Sequence, residues 1–264
     1  MNTIYKLGKK PASYDRHDLQ FVYYRTGVLP PHPTVFGHEN LIGATAWGML
    51  GNGPDGTVSP GFHGAGDCVF AGGDHETMLW TLEGGNPASF TGANAISDYS
   101  AVTGYNPDNP DSDQGTDVRV ALKYRQNTGL IDAAGNRHKI GIYLALEPGN
   151  TDHLLEALFL FGSVGIGIQF PDSAMDQFGS GKPWSVVHGA KIEGGHYVPL
   201  VAERGNLVCV TWGRIQQLTL QFYMRYCDEA WAILSPEMLN ADKSPEGFDL
   251  AQLQADLNAL RAVS

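Results

Sequence analysis

The chain has 264 residues, with 17 basic and 28 acidic side chains and a formal net charge of −11. An acidic surface repels phosphate backbones, and no basic stripe occurs in the sequence, which excludes nucleic acid as an expected partner. A hydrophobic content of 42% supports an ordered core, and three cysteines are too few for a disulfide scaffold.

The sequence shows no secretory signal in its first residues and no apolar run able to cross a bilayer. The most apolar window, residues 154–170, is short and is interrupted by polar residues and glycines. We therefore expect no membrane contact, and a location in the cytoplasm or in a particle assembled there, such as a virion.

The first half of the chain predicts irregular segments followed by helices. Residues 1–46 have little periodicity and are expected to form an arm packed on the main body. A Gly- and Pro-rich loop at 53–64 has the composition of an insertion. A helix is expected from Asp67, as its N-cap, to about Leu82, and further helices are expected over 116–127 and 152–161.

The second half predicts a sheet. Strands are expected over 138–146, 163–170, 195–201, 207–212, 218–223 and 230–234. Leucines at helical spacing predict a separate amphipathic C-terminal helix within residues 241–264, which leaves 47–240 as the main domain. The fold class is therefore α+β.

Two side chains carry the chemistry that the sequence suggests. Cys68 follows a Gly-rich loop and begins a helix, where the helix dipole favours a thiolate. His196 follows two glycines at the start of a strand, 128 residues later. A thiol and a base at about this interval are typical of cysteine nucleophiles activated by histidine.

Five short motifs follow one another along the chain. They are GDCVFA at 66–71, QGTDVR with the nearby AL and TGL at 114–130, LLEAL and VGIGI at 154–168, GHYVPLV at 195–201, and VTWG at 210–213. In this order they resemble a divergent papain-like (C1-like) cysteine peptidase.

The resemblance implies a papain-like fold of two lobes, a helical lobe that carries Cys68 and an antiparallel β-sheet or barrel lobe that carries His196. It implies a thiol hydrolase that cleaves peptide or amide bonds in peptide or protein substrates, through an acyl-enzyme, without metal or organic cofactor. Gly66, Gly195 and Trp212 would line the site around the two catalytic residues.

Two positions depart from the family pattern. Val210 stands where the family has the asparagine that orients the histidine, so Thr211 becomes the candidate orienting residue, with Asn206 and Gln216 as alternatives. The family's oxyanion glutamine is also missing before the nucleophile. Asn52 is a candidate oxyanion donor if residues 53–64 loop out, with the backbone N–H of Cys68 as the second donor.

Two rival functions stay open. The first is a papain-like fold without catalysis that serves as a binding or assembly subunit, for example in a phage particle. Its cleft would be filled by the N-terminal arm or by the 53–64 loop, whereas an enzyme would have an open cleft. The second is another thiol acyl-transfer enzyme, such as a relative of transglutaminases or peptidoglycan amidases.

The remaining cysteines and histidines have simpler interpretations. Cys209 and Cys227 are expected to be buried as small hydrophobic residues. His75 is expected to bind a backbone carbonyl, with a metal site of Cys68, His75 and His63 as a minor alternative.

Overall fold

The computed structural model describes residues 5–24, 31–48 and 64–238. The helices in these ranges are α1 (Phe21–Tyr24), α2 (Cys68–Glu83), α3 (Gly92–Thr103), α4 (Val118–Asn127), α5 (Thr151–Phe161), α6 (Asp172–Gly179) and α7 (Leu220–Tyr226). The strands are β1 (Phe36–Gly37), β2 (Leu130–Ile131), β3 (Arg137–His138), β4 (Ile142–Leu146), β5 (Val164–Pro171), β6 (Ile192–Glu203), β7 (Leu207–Thr211), β8 (Arg214–Leu218) and β9 (Cys227–Leu234).

Helix α2 is the centre of the helical lobe. It packs against α3 and α4 on one side and against β6 of the sheet on another. Almost every residue of its first three turns is buried, polar ones included, as expected for a helix covered on all sides. The two helices beside it have side-chain caps, a Thr91–Asn94 capping box on α3 and the Asp117 carboxylate on α4. This packing brings the first residue of α2 against the sheet.

The second lobe is an antiparallel sheet with the strand order β4–β9–β5–β6–β7–β8, and β1 pairs with β6 as an additional strand. All of β7 and the part of β6 from His196 to Glu203 are buried, whereas the first residues of β6 are exposed or half-buried. The expected α+β fold is confirmed. The alternative of a barrel is wrong, because the described strands form an open path in which β4 and β8 are edges that do not pair with each other.

Two expectations for the sheet need correction. Residues 218–223 were expected to form a strand, but the Thr219 side chain accepts a hydrogen bond from the N–H of Phe222 and begins α7, while β8 precedes it. The expected strand 138–146 is split, because β3 ends at His138 and β4 begins at Ile142. In both places local capping or a turn interrupts an apolar pattern.

Some of the segments predicted from the sequence lie outside the described residues or only partly within them. The loop at 53–63 and the C-terminal helix lie outside the described residues. Asp67 does precede α2, but its side chain makes no capping hydrogen bond. Of the arm, residue Phe36 pairs with Glu203 of β6, and Glu39 forms an ion pair with Arg204 at 2.9 Å. In the described part of the chain, no helix is long and apolar enough to span a membrane.

Candidate active site

The two lobes bring Cys68 and His196 to one small cavity. Cys68 is the first residue of α2, and His196 lies within β6. Both line a cavity of about 20 Å³, together with residues that include Asp67 and Thr211, a volume that holds one water-sized molecule and no peptide. The fold therefore places a thiol and an imidazole at the same site, and the cavity between them is small.

Three contacts fix the imidazole of His196. Its Nε2 lies 2.8 Å from Oγ1 of Thr211, and its ring stacks on Trp212 with centroids 4.5 Å apart and planes 18° apart. The edge of Phe170 packs against it at 5.5 Å. Nδ1 is buried and has no hydrogen-bond partner in the described structure. Burial lowers the pKa of His196 to about 3, which keeps the ring neutral.

The support beneath the histidine is a strained turn. Trp212 and Gly213 join β7 to β8 as a two-residue hairpin, with φ angles of 46° and 76°. Two positive φ values are the signature of a type I′ turn, whose first central position favours asparagine, aspartate or glycine. Trp212 takes this position at a conformational cost, and its ring supports His196. Such strain is characteristic of functional sites.

Cys68 is held in its protonated form. Its residue exposure is 7%, and burial raises the pKa of its thiol to about 12, although the backbone N–H groups of Tyr197 and Gly8 favour the thiolate. Neither nitrogen of His196 forms a hydrogen bond with the thiol, because Nε2 binds Thr211 and Nδ1 has no partner in the described chain. In this closed state the thiol is not a nucleophile.

Residues 5–10, which we call the cleft segment, fill the groove between the lobes. The N–H of Lys9 donates to the carbonyl of Gly195 at 3.0 Å, on the sheet side. On the helical side, the N–H of Thr116 donates to the carbonyl of Gly8 at 2.7 Å, and the N–H of Lys10 donates to that of Thr116 at 2.9 Å. The segment therefore bridges both lobes through its backbone.

The ends of the cleft segment are also anchored. The ring of Tyr5 packs on Trp212 with centroids 4.9 Å apart, and the ammonium of Lys6 binds Asp113 at 2.5 Å. Asp113 also accepts the N–H of Gly66 at 2.8 Å, so its carboxylate links the segment to the residues before Cys68. A substrate that lay along the same backbone groups would have to displace these contacts.

Tyr197, the residue after His196, ties the two lobes together. Its hydroxyl donates to Glu76 of α2 at 3.1 Å, and Glu76 forms a 2.6 Å ion pair with Arg125 of α4. The ring fits only because two neighbours lack a Cβ atom: a Cβ on Gly72 would lie 2.6 Å from the ring, and one on Gly165 would lie 1.8 Å from the hydroxyl. This buried network sets the spacing between α2 and β6.

Several solved cysteine proteases have an architecture similar to that of this chain. Xylellain, a cysteine protease from Xylella fastidiosa, matches with a TM-score of 0.56 at 13% identity, covering 87% of this chain and 96% of that one. Procathepsin B S9 from Trypanosoma congolense matches with a TM-score of 0.55 at 10% identity, covering 89% and 88%. The Carica candamarcensis protease CMS1MS2, solved with E-64, matches with a TM-score of 0.53 at 12% identity, covering 77% and 99%.

The chain has a papain-like fold. At these identities the comparison shows the fold alone. No protein-family model and no curated protein sequence matches the chain. The papain-like architecture expected from the five motifs is therefore confirmed. The case for catalysis depends on the residues of the site.

Within the papain-like fold, most of the sequence-predicted site residues lie together. Cys68, His196, Thr211 and Trp212 line the cavity, whereas Gly66 and Gly195 flank it and contact the cleft segment. Asn52, the candidate oxyanion donor, lies outside the described residues. Asn206 and Gln216, the alternatives to Thr211, bond elsewhere: Asn206 to the Gln217 side chain and Gln216 to backbone carbonyls.

Cys209 and His75 follow the simpler interpretations, whereas Cys227 needs correction. Cys209 is fully buried within β7. Cys227 was expected to be buried but is only half-buried, because it lies at the first position of β9, where its thiol contacts the carbonyl of Glu229 at 3.2 Å. His75 lies 3.1 Å from the carbonyl of Gly48. No group of three metal-ligating side chains occurs in the described ranges, and His63 of the minor metal alternative lies outside them.

Two features of the site go beyond the sequence analysis. The first is the cleft segment: an arm that fills the cleft was expected only for a binding subunit, and the residues that do so were not identified, because their hydrogen-bond partners lie more than a hundred residues away. The second is Asp67, whose carboxylate lines the cavity, is buried, and has no hydrogen-bond partner in the described structure. Burial raises the pKa of Asp67 to about 7, so this neighbour of the thiol is readily neutral.

Proposed function

We propose that the chain is a thiol hydrolase of the papain-like fold, which cleaves peptide or amide bonds through Cys68 and His196 and is latent while the cleft segment is in place. The observation that carries the proposal is Nδ1 of His196, which has no hydrogen-bond partner among the described residues and is buried beside Cys68 in a ring already oriented on its other side. A buried nitrogen without a partner costs about 1–3 kcal/mol, which a purely structural histidine avoids.

The proposed reaction begins when the cleft segment leaves. Cys68 then transfers its proton to Nδ1 of His196, and its sulfur attacks the carbonyl carbon of the substrate. The N–H of Cys68 stabilises the oxyanion of the tetrahedral intermediate. The imidazolium returns the proton to the leaving amine as the C–N bond breaks, and water then hydrolyses the thioester. Thr211 and Trp212 hold the ring throughout.

A second candidate is a binding subunit without catalysis. The filled groove and the raised pKa of Cys68 favour it, since both leave the thiol unreactive. The strained Trp212 turn weighs against it, because a scaffold has no need to hold a tryptophan beneath a histidine at a positive φ. In the binding subunit, the groove would hold a segment of an assembly partner in place of the cleft segment.

The test uses a full-length variant in which the cleft segment is displaced by Gly8→Ala. We expect this variant to hydrolyse a mixture of synthetic peptides and to yield an acyl adduct on Cys68 in acid-quenched samples analysed by mass spectrometry. Adding Cys68→Ala or His196→Gln should abolish both signals, whereas Cys209→Ala, which removes a buried thiol outside the site, should leave them intact. A reactive Cys68 without hydrolysis would support the binding subunit instead.

A further inference from the structure

The side chain of Lys9 is buried in an acidic pocket. Its ammonium is fully covered and lies 3.0 Å from Oδ2 of Asp228, 3.0 Å from Oε1 of Glu229 and 2.9 Å from the carbonyl of Lys10. The contacts with Asp228 and with the carbonyl of Lys10 are hydrogen bonds, and the contact with Glu229 is an ion pair. The side chain of Glu229 is 2% exposed and that of Asp228 is 16% exposed, so the charges face each other largely out of water.

The pocket has the shape of an extended basic side chain. A Cβ on Gly167 of β5 would lie 2.0 Å from Cε of Lys9 and 2.6 Å from Cγ of Glu229, so the missing side chain of Gly167 creates the space. The indole N–H of Trp231 donates to Oε2 of Glu229 at 3.0 Å and fixes the carboxylate. We call Asp228, Glu229 and Gly167 the acidic pocket.

Lys9 connects the acidic pocket to the residues around the thiol and the imidazole. The backbone N–H of Lys9 donates to Gly195, the residue before His196, and the N–H of Gly8 favours the thiolate of Cys68. Lys9 is therefore one residue away from the point at which the cleft segment meets the nucleophile. A peptide lying in the same groove would present one of its side chains to the acidic pocket.

Loss of Lys9 would leave two carboxylates facing each other in a buried pocket. A buried charge that loses its partner is strongly unfavourable, so the empty pocket discriminates against neutral and acidic side chains. A basic side chain restores the ion pairs that Lys9 makes.

We propose that the acidic pocket selects a lysine or arginine side chain of a peptide substrate, and that Lys9 occupies it as an internal surrogate until the cleft segment leaves. The proposal rests on the proposed function, because it concerns the same groove. It names peptides with a basic side chain as the substrate class of the proposed hydrolase.

Binding is measured first, without any need for chemistry. The full-length Lys9→Met variant, carrying Cys68→Ala, is titrated against a fluorescent acetylated peptide with the sequence of residues 5–11, and against the same peptide with norleucine in place of Lys9. We expect at least tenfold weaker binding of the norleucine peptide, read as fluorescence anisotropy. The preference should disappear when Glu229→Gln is added. The matched control is Lys10→Met, which removes an exposed lysine and should leave the groove closed to both peptides.

Hydrolysis is measured second, in Lys9→Met with Cys68 intact, on fluorogenic peptides that contain arginine or norleucine. A preference for arginine of tenfold or more in kcat/KM supports the proposal. Hydrolysis of both peptides at equal rates overturns the selectivity proposed for the acidic pocket and agrees with the proposed function. Selective binding without hydrolysis overturns the proposed function and agrees with the selectivity of the pocket. Equal binding of both peptides, or binding of neither, overturns that selectivity.

Should Lys9→Met fail to give a native circular dichroism spectrum, Gly8→Ala provides the second variant. It keeps every charge of the acidic pocket and displaces the cleft segment sterically, so the same two peptides and the same outcomes apply.

Discussion

Replacement of Gly8 by alanine should open the cleft. An added Cβ at this position would lie 1.9 Å from the carbonyl oxygen of Gly66, a distance at which backbone atoms cannot remain. The backbone of Gly66 cannot yield easily, because its N–H donates to Asp113 and it lies two residues before the start of α2. The cleft segment must therefore move, and its hydrogen bonds to Thr116 and Gly195 must break.

The expected consequence is a reactive Cys68. Burial holds the pKa of the thiol at about 12, against an ordinary value of 9.0. Release of that burial over three pKa units raises the thiolate fraction about 1,000-fold at neutral pH. A less basic thiolate is also a weaker nucleophile, with a Brønsted slope of about 0.5, so ionisation alone raises the alkylation rate about 30-fold. Easier access for the reagent adds to this.

The assay is the rate of iodoacetamide labelling at Cys68, followed by peptide mass spectrometry at about pH 7.5. Gly179→Ala is the matched control, because an added Cβ at Gly179 meets nothing within 4 Å and its labelling rate should equal that of the unaltered chain. Hydrogen exchange at the amides of Lys9 and Lys10 reports whether the segment has left. Fast exchange at these amides with unchanged labelling of Cys68 would refute the reasoning.

Two further predictions concern stability. Glu76→Gln should lower the free energy of unfolding by about 3–5 kcal/mol, because it leaves the buried guanidinium of Arg125 without its charge partner. The control Glu147→Gln, at an exposed position, should change the free energy of unfolding by less than about 0.5 kcal/mol. Equal values for the two variants in urea unfolding would contradict the role of the ion pair. The pKa of His196 is about 3 in the fold against 6.5 when unfolded, so its neutral form stabilises the protein fully above pH 6.5 and that contribution is lost as the pH falls towards 3. Between about pH 7 and pH 5, the chain should therefore lose about 2 kcal/mol more stability than His196→Gln, and parallel urea-unfolding profiles for the two proteins would refute this.

The order of the motifs carried most of the fold prediction. A helix after Cys68, a strand through His196 and a strand that ends near Trp212 each have a local signal, and together they specify two lobes that meet. The error at 218–223 came from an apolar pattern compatible with either structure, where the decisive signal was the N-cap at Thr219. Caps act over three residues and are easily overlooked beside a longer pattern.

The orienting residue shows what strand geometry adds. Successive side chains of a strand point to opposite faces. Thr211 of β7 contacts His196, so Val210 faces the other way and packs in a separate apolar cluster with Trp47 and Val208. The sequence analysis identified Val210 at the position of the family's orienting asparagine and Thr211 as the candidate orienting residue. It could not determine which of the two side chains faces the imidazole ring.

The sequence analysis considered an N-terminal arm in the cleft, but the residues of the cleft segment and the acidic pocket could not be predicted. Lys9 meets Asp228 across 219 positions of the chain, and a single lysine in an irregular stretch has no pattern that distinguishes it from an exposed one. Long-range pairs of this kind depend on the complete fold.

The pair of glycines around Tyr197 constrains how this interface can change over evolutionary time. Alanine at Gly72 or at Gly165 would collide with the ring, so neither position can gain a side chain while the tyrosine remains. A small residue at 197, arising first, would leave a void between two glycines and remove the hydrogen bond that Glu76 accepts from the hydroxyl. Each single substitution is therefore expected to weaken the contact between the lobes, so the residues at the three positions can be exchanged only as a set.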